Sequence, residues 1–405
     1  MSHNEGTQSF SRRSFLNLSL AAGAVAACST IWTERLLALP HRNHRYPQGA
    51  VAIDSNENPL GPSQGAREAI AEITPSGGRY SDWLTEELID TFAETEGIPA
   101  DCIAAYPGSS EPLHYSVLAF TSPAKSYVTA DPGYEAGMHA ANVAGAKVVK
   151  VPLTSNYSHD VRAMLAKAPD PGLFYICTPN NPTGTLTSHS DIEYLLEHKP
   201  QGSVVMVDEA YIHFADGTTS AMDLVKAGRD VIVLRTFSKI YGMAGLRCGF
   251  SIARPDLQEK ISRYHGFNPM PITAVVAASA SLKDKSLVPE RKRINTATRE
   301  QVFDWLRTNG YAFIPSQSNC FMLDTHRNGQ QVIEALRSQN VYIGRIWPVM
   351  PTYVRVTVGT PDEMGQFQTA FNRVMKNTAV GKVSTPAPPK TSKVQGLAES
   401  GLRFA

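Results

Sequence analysis

Val231-Ile232-Val233-Leu234-Arg235-Thr236-Phe237-Ser238-Lys239-Ile240-Tyr241-Gly242-Met243-Ala244-Gly245-Leu246-Arg247 is an apolar run that empties into a small-residue turn carrying one lysine. The run predicts a buried strand, and the lysine then stands at its carboxyl end, where open α/β sheets bind ligands. Burial and a neighbouring cation lower an amine's pKa, and a neutral amine attacks aldehydes. Arg247, eight residues on, can bring a guanidinium to an anion that Ser238 also bonds. A lysine in such a turn is ordinarily a solvated loop residue, so the surroundings must decide.

Working outward, short apolar runs at 102–106, 126–130, 147–152, 173–178, 203–208, 231–236 and 247–253 alternate with helical patterns near 111–120, 135–145, 160–168, 188–198 and 220–227. Strands separated by crossovers of this length predict an α/β fold, a mostly parallel seven-stranded sheet covered by helices. From 272 to 308 the pattern is continuously helical, and 311–377 reads as a smaller α/β unit with strands at 319–324, 341–345 and 353–358. The expected division is an extension at 1–40, an arm at 41–75, a large domain at 76–271, a linking helix and small C-terminal domain at 272–378, and a disordered tail at 379–405 whose Pro, Lys, Ser and Gly cannot bury a core.

Three further segments follow strands. Val204 to Val207 leads into Asp208-Glu209-Ala210-Tyr211. A buried aspartate is costly unless a cation meets it, and a protonated pyridine nitrogen is such a cation; helix capping is the plainer use. Thr178-Pro179-Asn180-Asn181-Pro182-Thr183-Gly184 offers the Asn181 amide from a rigid loop, or is simply a good turn. Tyr106-Pro107-Gly108-Ser109-Ser110-Glu111 places hydroxyls and helix-start N–H groups where a phosphate could sit.

Each segment is ambiguous alone. Together they supply an amine, an acid for a ring nitrogen, a partner for a phenolate oxygen and a phosphate pocket. In combination, over residues 48–377, they resemble the fold-type-I enzymes dependent on pyridoxal 5'-phosphate, in particular the class I/II aminotransferases. The resemblance is greatest to the histidinol-phosphate aminotransferase family, through Asn56-Glu57-Asn58-Pro59-Leu60-Gly61-Pro62, Arg79-Tyr80-Ser81-Asp82 (serine in place of the family's proline), Asp131-Pro132-Gly133-Tyr134 and Tyr353-Val354-Arg355.

That resemblance implies roles. Lys239 would bind the cofactor covalently and shuttle the substrate proton. Asp208 would meet the ring nitrogen, Asn181 and Tyr211 the phenolate oxygen, and Tyr134 the ring face. Ser109, Ser110, Glu111, Ser238, Arg247 and a partner's Tyr80 would surround the phosphate, which implies a homodimer with shared sites. Arg355, Asn58 and Arg345 would contact substrate. The implied reaction is ping-pong transfer of an amino group from an amino acid or histidinol-phosphate-like amine to a 2-oxo acid such as 2-oxoglutarate. A decarboxylase of the phosphothreonine type uses the same cofactor residues and is the alternative, followed by a non-catalytic cofactor-binding module. Around Arg345 the likeness weakens: the loop to Arg355 is short, and Trp347 adds bulk that is either core or substrate wall.

Of the 405 residues 42% are hydrophobic and 19% charged, the mix of an ordinary globular protein. With 38 basic against 37 acidic side chains there is no field to gather nucleic acid or anionic membrane. Five scattered cysteines form no CxxC pair and no zinc spacing. Ser11-Arg12-Arg13-Ser14-Phe15-Leu16 resembles a twin-arginine export signal, followed by an apolar stretch too short to span a membrane. The expectation is a periplasmic enzyme, with Val25-Ala26-Ala27-Cys28 resembling a lipidation site; without a working signal it would be cytoplasmic.

Overall fold

The computed structural model describes residues 46–266 and 269–376. The export motif, Cys28 and the 379–405 tail lie outside the described residues.

The strands in chain order are β1 (Val51–Ile53), β2 (Ile103–Tyr106), β3 (Ser126–Asp131), β4 (Val148–Pro152), β5 (Pro171–Cys177), β6 (Val204–Asp208), β7 (Val231–Thr236), β8 (Gly249–Ala253), β9 (Phe313–Ile314), β10 (Cys320–Asp324), β11 (Val341–Ile343) and β12 (Tyr353–Thr357). Seven of them form one sheet in the order β2-β8-β7-β6-β5-β3-β4. Pairings from β4 through β7 are parallel, whereas β8 runs antiparallel to both neighbours, so the sheet is mostly parallel as expected. Every residue of β5, β6, β7 and β8 is buried, which is why these strands read as continuous apolar runs without alternation. Parallel pairing aligns the carboxyl ends of β5, β6 and β7, and the register sets Cys177 against Asp208 and Asp208 against Leu234.

Two findings depart from the sequence reading. The helix expected over 272–308 is two helices, Ile272–Lys283 and Leu287–Thr308. Asp284 causes the break: its Oδ1 accepts from the Ser286 backbone N–H (3.0 Å) and hydroxyl (2.7 Å), a local turn that competes with helical hydrogen bonding. The segment read as a turn-rich arm also contains β1 and a helix, Gln64–Ile73, capped by Ser63. β1 pairs in parallel with β11, while β9, β10 and β12 form a separate antiparallel sheet. A second apolar cluster, including Phe303, Phe321, Leu336, Val354 and Phe371, thus takes Val51 and Ile53 from the other end of the chain. Among the described residues no helix is long and apolar enough to cross a membrane.

Candidate active site

Between the sheet's carboxyl edge and the β1–β11 pair lies an open cleft of about 1440 Å³. Lys239 enters it three residues after β7, its Nζ 5.6 Å from the centre of the Tyr211 ring. Burial first, then the positive charge of Arg355, pulls its amine down to about 8. At that value a useful fraction is neutral near pH 7, as nucleophilic attack requires.

Asp208 ends β6 and is 4% exposed. Its Oδ2 accepts from the Tyr175 hydroxyl at 2.8 Å and its Oδ1 from the Ala210 N–H at 3.1 Å. Burial pushes the carboxyl up despite these bonds and the charge of Lys239, so the site would favour a cation placed directly against it. Tyr211 is buried and its oxygen accepts from Asn56 Nδ2 at 3.0 Å. Asn181 Oδ1 accepts from Arg355 Nη1 at 2.9 Å, and Tyr134 lines the same cleft.

Opposite them, Gly108, Ser109 and Ser110 lead into the helix Ser110–Phe120, and the Ser109 side chain makes no cap hydrogen bond. Arg247 Nη1 donates to Ser238 Oγ at 3.3 Å and to the Ala244 carbonyl at 2.9 Å. Gly108 has φ +89°, and a Cβ there would fall 2.0 Å from Arg247 Nη2: only glycine lets the guanidinium reach the helix start. A helix N-terminus, serine hydroxyls and an arginine make an anion cradle. An amine, a buried acid and this cradle around one cleft fit a phosphorylated pyridine aldehyde.

Two predicted residues are placed elsewhere. Asn58 Nδ2 donates to the Ile240 carbonyl at 3.0 Å, so its side chain braces the lysine loop instead of lining the cleft. The Glu111 carboxylate accepts from the Tyr115 hydroxyl at 3.4 Å and does not line the cleft either, leaving only its backbone to the cradle. Arg345 lines the cleft, but its guanidinium is ion-paired to Glu135. Tyr80 is 87% exposed and does not line this chain's cleft. Trp347 is core: 2% exposed, it packs with Ile314 and Met322, donates to the Gly133 carbonyl at 3.0 Å, and lies beneath Arg345 and Arg355.

Several residues escaped the sequence reading. Asn56 adopts φ 52°, a conformation asparagine tolerates, and its backbone N–H donates to Thr357 Oγ1 at 2.9 Å. Asn319 holds the Asn56 and Glu57 carbonyls at 3.1 and 3.2 Å. Buried Arg291 donates to the carbonyls of Ile240 (3.0 Å) and Gly61 (2.6 Å), clamping the lysine loop to the arm. The Asn56–Pro62 stretch signalled that the arm matters, but nothing local to Asn319 or Arg291 signalled that they hold it.

The sequence pattern of the aminotransferase class I and II family matches residues 49–371. The chain belongs to that family. This aminotransferase is 33% identical over 331 residues to a histidinol-phosphate aminotransferase of Moorella thermoacetica, covering 80% of this chain and 85% of the relative. It is also 33% identical over 347 residues to an aromatic amino acid aminotransferase of Cutibacterium acnes, covering 84% and 97%. The aminotransferase's fold matches the crystal structure of histidinol-phosphate aminotransferase from Sinorhizobium meliloti in complex with pyridoxal-5'-phosphate, with a TM-score of 0.76 and 23% identity over 84% of this chain and 96% of that one.

Proposed function

We propose that this pyridoxal-phosphate-dependent aminotransferase takes its amino group from a donor whose α-carboxylate binds Arg355, and passes it to a 2-oxo acid, 2-oxoglutarate being the first acceptor to test. The observation that carries this reading is Arg355 itself. It is 7% exposed yet lines the cleft beside Lys239, fixed by Asn181 and by the Asp54 carbonyl (2.6 Å), with its Nε still without a hydrogen-bond partner. A buried, oriented guanidinium with unused donor capacity is a carboxylate receptor.

Bound pyridoxal phosphate supplies an aldehyde for the donor's amine and a ring that accepts the electrons released when the donor's Cα proton leaves. The chain's residues do the rest. Ser109, Ser110, Ser238 and Arg247 would hold the phosphate, Asp208 would keep the ring nitrogen protonated, Tyr134 would cover the ring, and Asn181 and Tyr211 would face its phenolate oxygen. Lys239 Nζ anchors the cofactor at rest, then removes the proton from the donor's Cα and redelivers it. Tyr80 reaches the partner's cradle in a homodimer. The twin-arginine motif exports the folded chain.

The test is a panel of amino donors with the holoenzyme, following the absorbance of the lysine-bound cofactor. Amino donors should discharge it and 2-oxo acids restore it. Carbon dioxide release with no need of a 2-oxo acid would instead select the decarboxylase reading. Export is checked by converting Arg12 and Arg13 to lysine, which should leave the protein in the cytoplasm.

A further inference from the structure

Arg345 and Arg355 are carried side by side. The Gly344 N–H donates to the Arg355 carbonyl at 2.9 Å, and the Arg355 N–H to the Arg345 carbonyl at 3.3 Å. Gly344 is obligatory in this contact, since a Cβ there would lie 2.9 Å from the Arg355 oxygen. Both guanidinium groups lie over the Trp347 ring, at 4.5 and 5.7 Å from its centre. Two neighbouring, part-buried cations over one aromatic face would form a receptor for a substrate with two anionic groups, such as a carboxylate plus a phosphate.

That receptor is closed on one side. Glu135, which stands just before the helix Ala136–Val143, makes no cap hydrogen bond with it. Its carboxylate turns into the cleft and pairs with Arg345 Nη2, both side chains being about one-fifth exposed. Among the described residues Arg355 is ion-paired to no carboxylate, and its Nε is without a hydrogen-bond partner. Arg337, also on the cleft wall, lies over Tyr342 at 6.0 Å, whose edge-on neighbour Tyr46 donates to Asp54. Apart from the groups at the cofactor and Arg355, the wall sets Arg337 and Arg345 against Asp54, Glu57 and Glu135, one negative charge in excess.

We infer that Glu135 is a specificity-determining residue: by occupying Arg345 it restricts the donor to one anionic group, the α-carboxylate, with an uncharged distal end, and rejects phosphate-bearing amines. This inference rests on Arg355 receiving the donor's carboxylate. A distal phosphate must either break the pair or sit beside an acid, and like charges at part-buried sites are strongly disfavoured. The second carboxylate of 2-oxoglutarate meets the same closed pair, so a 2-oxo acid with a single carboxylate should be the better acceptor.

The test compares half-reactions of the holoenzyme with phenylalanine and with O-phosphothreonine, which keeps the α-carboxylate and adds a distal phosphate. The wild type should favour phenylalanine in kcat/KM by at least about tenfold. Glu135→Gln should move that ratio about tenfold toward O-phosphothreonine, through KM, and Glu135→Gln combined with Arg345→Ala should return it. The visible absorbance of bound cofactor verifies that each variant is folded. A wild type preferring O-phosphothreonine, or a Glu135→Gln variant whose ratio does not move, overturns the inference alone. A wild type that converts neither these nor any other amino donor overturns the functional reading and the inference with it.

Discussion

Lys239 and Asp208 are perturbed in opposite senses by the same burial, and that opposition has measurable consequences. The lysine amine, held near 8 against an ordinary value of 10.5, is charged below pH 8 and neutral above it. Covalent capture of cofactor by the apoprotein should therefore accelerate roughly tenfold between pH 7 and 9, followed by the rise of its visible absorbance. The linkage has a definite sign. Between 8 and 10.5 the unfolded chain holds the proton that the folded chain has released, so this group makes the apoprotein more stable as pH rises through that window. Lys239→Ala should abolish the absorbance while leaving the fold intact. At Gly108, alanine would force Arg247 away from the helix start. Gly108→Ala should weaken cofactor binding about tenfold, read by titration of the apoprotein, since the strained φ and displaced guanidinium together cost ~1–2 kcal/mol. The placement of Lys239, Asp208 and Asn181 at the cleft could be read from the sequence because Asp208 ends a strand that announces itself and the other two follow such strands within four residues. That of Glu135 could not: nothing in Gly133-Tyr134-Glu135 reveals that a residue 210 positions later approaches it.

At the scale of elements, strands buried on both faces betray themselves by unbroken apolar runs, and so the large sheet could be read strand by strand. In the small unit β10, β11 and β12 were read as well, but β1 and β9 were not, because they are three and two residues long and β1 finds its partner β11 across the length of the chain. The helix break at Asp284 was hidden for a different reason: an aspartate followed two residues later by serine is unremarkable in composition and acts only through its own hydrogen bonds. The lysine loop offers the cleanest test of how elements hold one another. Gly242 has φ +68°, and a Cβ on it would stand 2.1 Å from the Gly61 carbonyl oxygen, which Arg291 also grips. Gly242→Ala should cost ~1–3 kcal/mol, seen as a lower Tm, and should detach arm from loop. If the Tm held while cofactor binding failed, the clamp would be local to the site and not part of the fold's stability.

For the whole molecule, the apolar surface left open at Tyr80 (87% exposed), Trp83 (56%) and Leu60 (41%) is the part a single chain does not explain. Tyr80 and Trp83 flank the start of the helix Asp82–Glu96. Sedimentation should give twice the mass of the chain, and Trp83→Asp should yield monomers with weakened cofactor binding. Tyr80→Phe should leave the dimer intact and lower cofactor affinity alone, separating a contact at the phosphate from one at the interface.

The pairing of Val51 with Val341 and of Ile53 with Ile343 also fixes an order of events. A strand emerging early from the ribosome has no partner until nearly three hundred further residues have been made. β1 therefore cannot pair while the chain is nascent, and the wall it builds with β11 stays open until translation is almost complete. The side of the cleft that β1 and β11 build together is thus the last to be completed as the chain is made.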